Sequence, residues 1–320
     1  MKYHLLALVI VAIWGLTFIS TKVLILSGLT PAEIFFVRFL LADLGMLLFH
    51  LVRRIRWFSD SIRDELKCLL LGVCGGSVYF LTENTALRFT QASNASFLVS
   101  TAPLLTLLLT AAYLKVSRKG SESGLQPVKF TLPLVAGAIL ATLGMALVVF
   151  SGVRLKLSPK GDLLALGAAL CWAIYSLLAV SLTKKYGSVF VTRKVFFYGI
   201  LTIVPVLAIE GSSHLADWDM MTNPKVLLNL LFLGAIASLM CYLGWNVVMS
   251  RLGHVTASNY NFLNPFFTLI GAAIFLGERM TPMSAIGCVL IFLGVWCTGR
   301  HMVGHSSGRI PFGRRIGIRA

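Results

Sequence analysis

The sequence is poor in charge, and poorest in acidic charge. Only 12% of its 320 residues are charged, and 12 Asp and Glu stand against 28 Lys and Arg. Soluble domains carry about 25% charged residues, and a soluble chain with so small a share could not cover its surface with polar groups. This shortage excludes a soluble enzyme and leaves little room for a catalytic domain outside a membrane.

Motifs for catalysis and metal binding are also missing. The six cysteines fall in or beside apolar runs without a C-x-x-C pair, and the six histidines lack the spacing of metal ligands. No H-E-x-x-H, G-x-S-x-G or Walker A pattern occurs. We therefore expect free, buried thiols, no metal, no cofactor and no enzymatic activity. An ATP-driven pump would need a nucleotide-binding domain that the chain cannot hold.

Apolar runs dominate what is present. Hydrophobic residues make up 57% of the chain, and the mean hydropathy is +0.85. A membrane-spanning helix needs about 20 apolar residues, and no run alternates as a membrane β-strand does. We interpret the first run as an uncleaved helix, because no Ala-x-Ala site follows it. The pattern predicts an all-α membrane protein with ten transmembrane helices, at 4–26, 32–52, 66–87, 93–114, 131–150, 161–183, 195–209, 226–250, 256–276 and 282–300.

Basic residues are distributed unevenly between the predicted loops. With a cytoplasmic N-terminus, 20 of the 28 Lys and Arg lie on the cytoplasmic side, 6 on the outer side and two within spans. The positive-inside rule then predicts a multi-pass protein of the plasma (inner) membrane with both termini cytoplasmic, the basic tail 301–320 included. Facing an anionic inner leaflet explains the net charge of +16 without nucleic acid. The expected partners are a lipid bilayer and a small-molecule substrate, and a homodimer stays open.

Residues recur in the same order in the two halves of the chain. Leu-Leu-Ala-Leu at 5–8 and 163–166 precedes Trp14 and Trp172, at an offset of 158. Two further sets recur at offsets of 162 and 150: Asn84, Ala95, Ser96, Pro103 and Thr106 with Asn246, Ala257, Ser258, Pro265 and Thr268, then Thr131, Gly137, Leu140 and Gly144 with Thr281, Gly287, Leu290 and Gly294. Five spans per half reverse the second half in the membrane. This predicts two inverted five-helix repeats, 4–150 and 161–300, an architecture of secondary transporters with a site near the midplane.

A set of short motifs runs through both halves: Trp14-Gly15-x-x-Phe18, Arg38, Ala92-Ser93-x-Ala95-Ser96 with Pro103, Ala257-Ser258 with Pro265, and Phe275-Leu276-Gly277-Glu278-x-x-Thr281 with Gly287 and Gly294. Over about 5–300, this set resembles the EamA-domain proteins of the drug/metabolite transporter superfamily. The first half departs from the pattern, with Tyr113-Leu114-Lys115-Val116 in place of the Gly-Glu pair. The resemblance implies a ten-helix transporter of amino acids or other small metabolites, often an exporter.

Four charged residues lie at a similar depth in the first half: Lys22, Glu33, Arg38 and Glu83. Charges inside a membrane are costly and usually face the interior of a helix bundle. Two positive and two negative side chains could form a structural salt-bridge cluster at the outer mouth. They could instead form an outer gate or a site for a zwitterion, which would exchange its own charges with such pairs.

Asp43 stands apart from this group. It lies near the middle of the second span, without a basic residue three or four positions away. It is either an aspartate with hydrogen-bonding partners on another helix or a residue that couples transport to protons, as intramembrane carboxyl groups do in other transporters. Glu83 is the other candidate for coupling.

Aromatic and hydroxyl residues share one stripe on each of two related helices. Trp14 and Thr17 lie on the first span, and Trp172 and Tyr175 lie on the sixth. Such a mixture suits a mostly apolar pocket with a few polar groups, and it is equally compatible with ordinary helix packing.

Amides, prolines and small residues also recur at related positions. Pro103 and Pro265 would bend the fourth and ninth spans, and paired breaks can mark a transporter site or be ordinary bends. The pairs Gly72 with Gly76 and Gly234 with Ser238 predict close helix packing. The candidate substrate-binding residues are Trp14, Thr17, Arg38, Glu83, Asn84, Trp172, Tyr175, Asn246, Asn259 and Asn264, and the candidate coupling or gating residues are Lys22, Glu33, Asp43, Pro103 and Pro265.

The leading interpretation is a secondary transporter, an exporter of amino acids or other small metabolites, that works by alternating access around a central site. The alternative is an integral-membrane enzyme or a lipid-handling protein that uses the outer charged cluster.

Overall fold

The computed structural model describes residues 2–53, 56–116, 132–151, 158–211, 213–276 and 282–303. Within these ranges the chain is helical and contains no strand. The Gly277-Glu278 motif and most of the predicted tail lie outside the described residues. The α-helices are α1 (Lys2–Leu26), α2 (Pro31–Arg53), α3 (Ile62–Gly72), α4 (Val78–Phe89), α5 (Ala92–Val99), α6 (Ala102–Val116), α7 (Leu132–Ser151), α8 (Pro159–Tyr186), α9 (Ser188–Glu210), α10 (Trp218–Thr222), α11 (Pro224–Leu231), α12 (Cys241–Leu252), α13 (His254–Asn259), α14 (Asn264–Leu276) and α15 (Pro282–Val303).

Six stretches of the described chain are long and apolar enough to cross a membrane. They are Lys2–Leu26, Ile62–Phe89, Ala92–Lys115, Pro159–Tyr186, Ser188–Glu210 and Pro224–Leu252. They coincide with the first, third, fourth, sixth, seventh and eighth predicted spans. The described part of the chain is therefore helical throughout, with several helices able to cross a membrane.

The seventh span begins at Ser188, not at 195 as its apolar run predicts. The added turns carry Thr192, Arg193 and Lys194, all of which are buried. Polar side chains tolerate burial when they have partners, and Arg193 donates to the backbone carbonyl groups of Arg56 and Trp57 at 2.8 and 2.6 Å. Hydropathy alone placed the start of the helix too late, because a hydropathy scale treats these paired groups as exposed.

Four of the predicted spans are interrupted rather than continuous. π-Helical segments at Val73–Ser77 and Phe232–Met240 join α3 to α4 and α11 to α12. The fourth span breaks between α5 and α6, and the ninth contains a 3-10 turn at Tyr260–Leu263 between α13 and α14. Pro103 and Pro265 are each the second residue of the helix after the break, where a missing N–H costs nothing.

Helices α7 and α15 approach each other through glycine on both sides. A Cβ atom on Gly144 would lie 2.5 Å from the carbonyl oxygen of Gly287, and one on Gly294 would lie 2.5 Å from the carbonyl oxygen of Gly137. The two contacts are reciprocal and run antiparallel. Each helix thus presents its own glycine to the backbone of the other.

The two small-residue pairs also pack on helices of the other half. A Cβ on Gly72 would lie 2.9 Å from the backbone nitrogen of Gly199 in α9, and one on Gly234 would lie 3.2 Å from the carbonyl oxygen of Arg38 in α2. These contacts match the packing predicted from the small-residue spacing. They join the early helices of the chain to its late helices at two related places.

Candidate functional site

A cavity lies where helices from both halves of the chain meet. The atom-free space is about 440 Å³, solvent at its mouth included. Its walls come from α1, α2, α4, α5, α6, α8, α12 and α14 and from the 3-10 turn between α13 and α14. The lining residues are Trp14, Thr17, Phe18, Arg38, Tyr79, Phe80, Glu83, Val99, Ala102, Trp172, Tyr242, Asn261 and Asn264.

Aromatic rings form much of the cavity wall. Trp14 packs edge-on against Trp172, with ring centroids 5.3 Å apart, and against Tyr242 at 6.0 Å. The ring centroid of Tyr79 lies 5.3 Å from that of Trp172. The indole of Trp14 donates a hydrogen bond to the carbonyl oxygen of Ala237 at 3.0 Å, inside the second π-helical segment. A residue of the second half of the chain therefore orients an aromatic ring of α1.

Arg38 contributes a positive charge to this wall. Its side chain is only 1% exposed, and its guanidinium group lies over the ring of Phe80 at 4.1 Å. The Nε atom donates a hydrogen bond to the hydroxyl oxygen of Ser238 at 3.0 Å. The Nη1 atom is buried without a hydrogen-bonding partner. The group is therefore oriented by its neighbours while one donor nitrogen is unused.

Glu83 contributes the opposite charge and is 2% exposed. Tyr79, one turn earlier on the same helix, is within hydrogen-bonding reach of its carboxyl group. Arg38 and Glu83 act on each other electrostatically. Although both residues are described, they do not form a salt bridge within 4 Å. The two buried charges line one cavity without closing on each other.

The other two members of the predicted outer cluster lie elsewhere. Lys22 donates to the carbonyl oxygens of Leu87 and Thr90, at the C-terminal end of α4, where a cation is favoured. Glu33 accepts the N–H of Thr30 at 2.8 Å, while the hydroxyl of Thr30 accepts the N–H of Glu33 at 3.2 Å. This reciprocal pair is a capping box. The structure thus separates the four charges into two that bind backbone and two that line the cavity.

Asp43 lies in a different cavity. Its neighbours there include Arg193 and Lys194 of α9 and the aromatic side chains of Trp57 and Phe58. Arg193 exerts the main attractive electrostatic effect on Asp43. The basic partner that is missing from its own helix is therefore provided by a helix 150 positions later in the chain.

The repeat-related asparagines connect helices and do not line the cavity. Asn84 donates to the carbonyl oxygen of Pro31 at 3.2 Å. Asn246 donates to the hydroxyl of Thr192 at 2.7 Å and accepts a hydrogen bond from Tyr175 at 3.1 Å. Asn84 thus joins α4 to the start of α2, and Asn246 joins α12 to the first turns of α9. Their symmetry is structural, and it brings Tyr175 into the same network.

The remaining polar candidates are divided between wall and core. Trp14, Thr17, Trp172 and Asn264 line the cavity, and the hydroxyl of Thr17 donates to the carbonyl oxygen of Trp14 at 2.6 Å. Asn259 is buried outside the lining, with its amide nitrogen lacking a partner. Pro103 and Pro265 border the helix breaks next to lining residues.

Several lining residues were not among the sequence-based candidates. They are Phe18, Tyr79, Phe80, Val99, Ala102, Tyr242 and Asn261. One signal was available: the offset of 162 relates Phe80 to Tyr242, two aromatic residues on corresponding helices. Tyr79 could also have been found from its position one turn before Glu83.

Comparison with known proteins agrees with this architecture. The model of the EamA-like transporter family matches residues 1–150 and again residues 159–300. An uncharacterized transporter of Archaeoglobus fulgidus is 28% identical over 93% of this chain and 97% of its own. A probable amino-acid metabolite efflux pump of Salmonella typhimurium is 25% identical over 92% of this chain and 94% of its own. A solved crystal structure shares the fold, with a TM-score of 0.71 at 16% identity over 94% of this chain and 98% of that one.

The all-helical fold, the apolar spans and the two family matches identify a multi-pass membrane transporter, and the chain belongs to the EamA-like transporter family.

Proposed function

We propose that this protein is a secondary transporter that exports amino acids or other small metabolites by alternating access around the central cavity. The observation that carries the proposal is the cavity itself. Its lining comes from both regions matched by the family model, and it contains the buried charges Arg38 and Glu83. The direction of transport and the substrate class are supported by the relative named as a probable amino-acid metabolite efflux pump.

Two inverted five-helix repeats, 4–150 and 161–300, account for the reciprocal contacts. The glycine contacts between α7 and α15 exchange roles between the helices, as a two-fold axis in the membrane plane would require. Helices α2, α7, α14 and α15 coincide with the four predicted spans that are not among the six stretches long and apolar enough to cross a membrane. Adding them gives ten spans. One π-helical segment then lies in the third span of each repeat.

The plasma membrane, with both termini in the cytoplasm, is the proposed location. The 20 to 6 distribution of Lys and Arg supports it through the positive-inside rule. A fluorescent protein fused to the C-terminus is expected to fluoresce, and an alkaline phosphatase fusion there is expected to be inactive. The reverse pattern would contradict this orientation.

The alternative of an enzyme or lipid-handling protein at the outer charged cluster has less support. Lys22 and Glu33 bind backbone groups and do not line the cavity that Arg38 and Glu83 share. The family and the transporter-named relatives also point away from an enzyme.

The test is metabolite efflux in cells that lack or overproduce the protein, with a broad panel of intracellular metabolites. Overproduction is expected to lower the intracellular level of at least one amino acid or related metabolite and to raise its extracellular level. Trp14→Ala and Glu83→Ala are expected to abolish the change at unaltered protein levels, whereas the control Leu163→Ala, 69% exposed, keeps it. An unchanged metabolite panel, or full efflux by both cavity variants, would contradict the proposal.

A further inference from the structure

We propose that the cavity binds a small zwitterion with an apolar or aromatic body, whose carboxylate contacts Arg38 and whose ammonium group contacts Glu83. This inference rests on the proposed function and specifies the ligand of the same site. It assigns a separate chemical task to each of the two buried charges. It also predicts that the ligand needs both of its charged groups.

The state of Arg38 indicates an anionic ligand. Its Nε is used by Ser238 and its plane is supported by Phe80, so the guanidinium group is held in place. Its Nη1 has no hydrogen-bonding partner and almost no exposed surface. A buried donor without a partner is costly in a folded protein. A carboxylate, which guanidinium groups bind with two parallel hydrogen bonds, would remove that cost.

The state of Glu83 indicates a cationic group on the same ligand. Glu83 lines the same cavity, and Tyr79 within hydrogen-bonding reach can hold its carboxyl group in position. A purely structural pair would close into direct contact, because an intramembrane charge is stabilised best by an adjacent opposite charge. Arg38 and Glu83 remain more than 4 Å apart instead. A ligand with charges of both signs can complete both interactions.

The comparison of the two halves supports treating the charges as a unit. The offset of 162 for the third and eighth spans places Trp245 at the position of Glu83. For the second and seventh spans, any offset from 158 to 162 places one of the residues 196–200, Phe-Phe-Tyr-Gly-Ile, at the position of Arg38. Both charges are therefore missing from the second half together. Helix packing that recurs in both halves does not explain them, whereas a ligand held in one orientation does.

The rest of the wall suits an apolar body. Trp14 and Trp172 lie edge to face, and Tyr79 and Tyr242 extend the same aromatic surface. Asn261 and Asn264 line the cavity, each with a buried side-chain oxygen that lacks a partner. These amide oxygens can accept further N–H groups from an ammonium ion. The wall thus combines ring surface for a side chain with acceptors for an amine.

The test is ligand binding to the purified protein in nanodiscs, followed by tryptophan fluorescence, since Trp14 and Trp172 line the cavity. The probes are L-phenylalanine, phenethylamine, which lacks the carboxylate, and 3-phenylpropionate, which lacks the ammonium group. A hydrogen bond to a charged group corresponds to about 10- to 100-fold in affinity. Wild-type protein is therefore expected to bind L-phenylalanine at least about tenfold more tightly than either analogue.

The variants should lose discrimination selectively. Arg38→Gln is expected to bind L-phenylalanine and phenethylamine equally, while still discriminating against 3-phenylpropionate. Glu83→Gln should show the opposite selectivity. Arg38→Lys, which keeps the charge, is expected to retain part of the preference. The matched controls Arg88→Gln and Glu210→Gln change exposed residues and are expected to behave as wild type.

Each outcome decides between the two proposals. Equal binding of all three probes by folded wild-type protein, or variants that lose both preferences together, would overturn the assignment of Arg38 and Glu83. Efflux of a non-zwitterionic metabolite without binding of L-phenylalanine would overturn this inference and leave the proposed transport intact. If each variant loses only its expected probe preference but cells show no efflux of any metabolite, the ligand assignment would stand and the proposed transport would be overturned. Elution as one symmetric peak and a wild-type melting midpoint serve as the check on folding.

Discussion

The Nε atom of Arg38 donates a hydrogen bond to the hydroxyl oxygen of Ser238, at 3.0 Å and 200 positions further along the chain. This bond connects α2 to the second π-helical segment and orients a charge in the cavity wall. Ser238 belongs to a small-residue pair, so one position provides both close packing and a hydrogen-bond acceptor. Loss of the Ser238 hydroxyl should therefore lower the stability of the protein and also disturb the orientation of Arg38 in the cavity wall.

Ser238→Ala is expected to lower the free energy of unfolding by about 1.5–3 kcal/mol, because it leaves a buried charged group without its acceptor. Efflux should fall severalfold, since the guanidinium group loses its fixed orientation. Thermal unfolding and efflux measurements check this. Ser181→Ala is the control, because its hydroxyl bonds only within its own helix, to the carbonyl oxygen of Leu178. Wild-type stability and efflux in Ser238→Ala would show that the bond contributes nothing.

A second prediction concerns the ion pair between Lys194 and Glu65. The side chain of Lys194 is 5% exposed and that of Glu65 is 21% exposed, and Glu65 also accepts hydrogen bonds from Tyr198 and Ser59. Lys194→Met is expected to cost about 3–5 kcal/mol of stability, because it leaves a largely buried carboxylate without its counter-charge. Denaturant titration in detergent measures the change.

The double variant Lys194→Met with Glu65→Gln is expected to recover part of this loss. The exposed pair of Arg56 and Asp60, with side chains 63% and 45% exposed, provides the control. Arg56→Gln should change stability by no more than about 1 kcal/mol. Equal effects of Lys194→Met and Arg56→Gln would mean that burial does not strengthen the inner pair.

The glycine contact between α7 and α15 gives a third prediction. A Cβ added at Gly144 would lie 2.5 Å from the carbonyl oxygen of Gly287, and backbone cannot move away without separating the helices. Gly144→Ala is therefore expected to destabilise the protein by about 1–3 kcal/mol. Gly167→Ala is the matched control, because nothing lies within 4 Å of the added atom. The Gly167→Ala variant should gain about 0.5–1 kcal/mol of stability from helix propensity. Differential scanning calorimetry compares the two variants, and a Gly144→Ala protein that unfolds at a higher temperature than Gly167→Ala would contradict the close contact.

The fourth prediction concerns proton coupling through Asp43 or Glu83. In proteoliposomes, wild-type transport is expected to depend on an imposed pH gradient. If Asp43 is the coupling residue, Asp43→Asn should lose this dependence; if Glu83 is, Glu83→Gln should lose it. Asp43→Asn should still exchange substrate in the absence of a gradient. Glu210→Gln, an exposed carboxyl variant, serves as the control. Transport by wild-type protein that is independent of the gradient would exclude both residues as proton-coupling sites.

Much of the site could be predicted from the sequence because its charges are conspicuous. Arg38 and Glu83 stand out in apolar spans, and the repeat picks out Trp14 and Trp172 as a pair; all four line the cavity. The helical stripe also places Thr17 correctly beside Trp14. Charged residues and tryptophan are rare enough in these helices that their spacing carries information about a shared surface.

The repeat alone does not say which way a side chain points. Asn84 and Asn246 occupy related positions, yet both bind neighbouring helices and neither lines the cavity. Predicted depth in the membrane has the same limit, because Lys22 and Glu33, expected at the level of Arg38, bind backbone groups. The π-helical segments were not predicted either, because a change of the hydrogen bonds from four to five residues leaves a continuous apolar run apolar.

The bond between Arg38 and Ser238 also constrains how the protein is made. The chain grows from its N-terminus, so α2 is complete long before the acceptor 200 residues later exists. At about 5–20 residues per second, the delay is roughly 10–40 s. During that time the guanidinium group must be accommodated by the insertion machinery, by water or by lipid headgroups. The late helices thus complete the burial of a charge that the early helices cannot shelter alone.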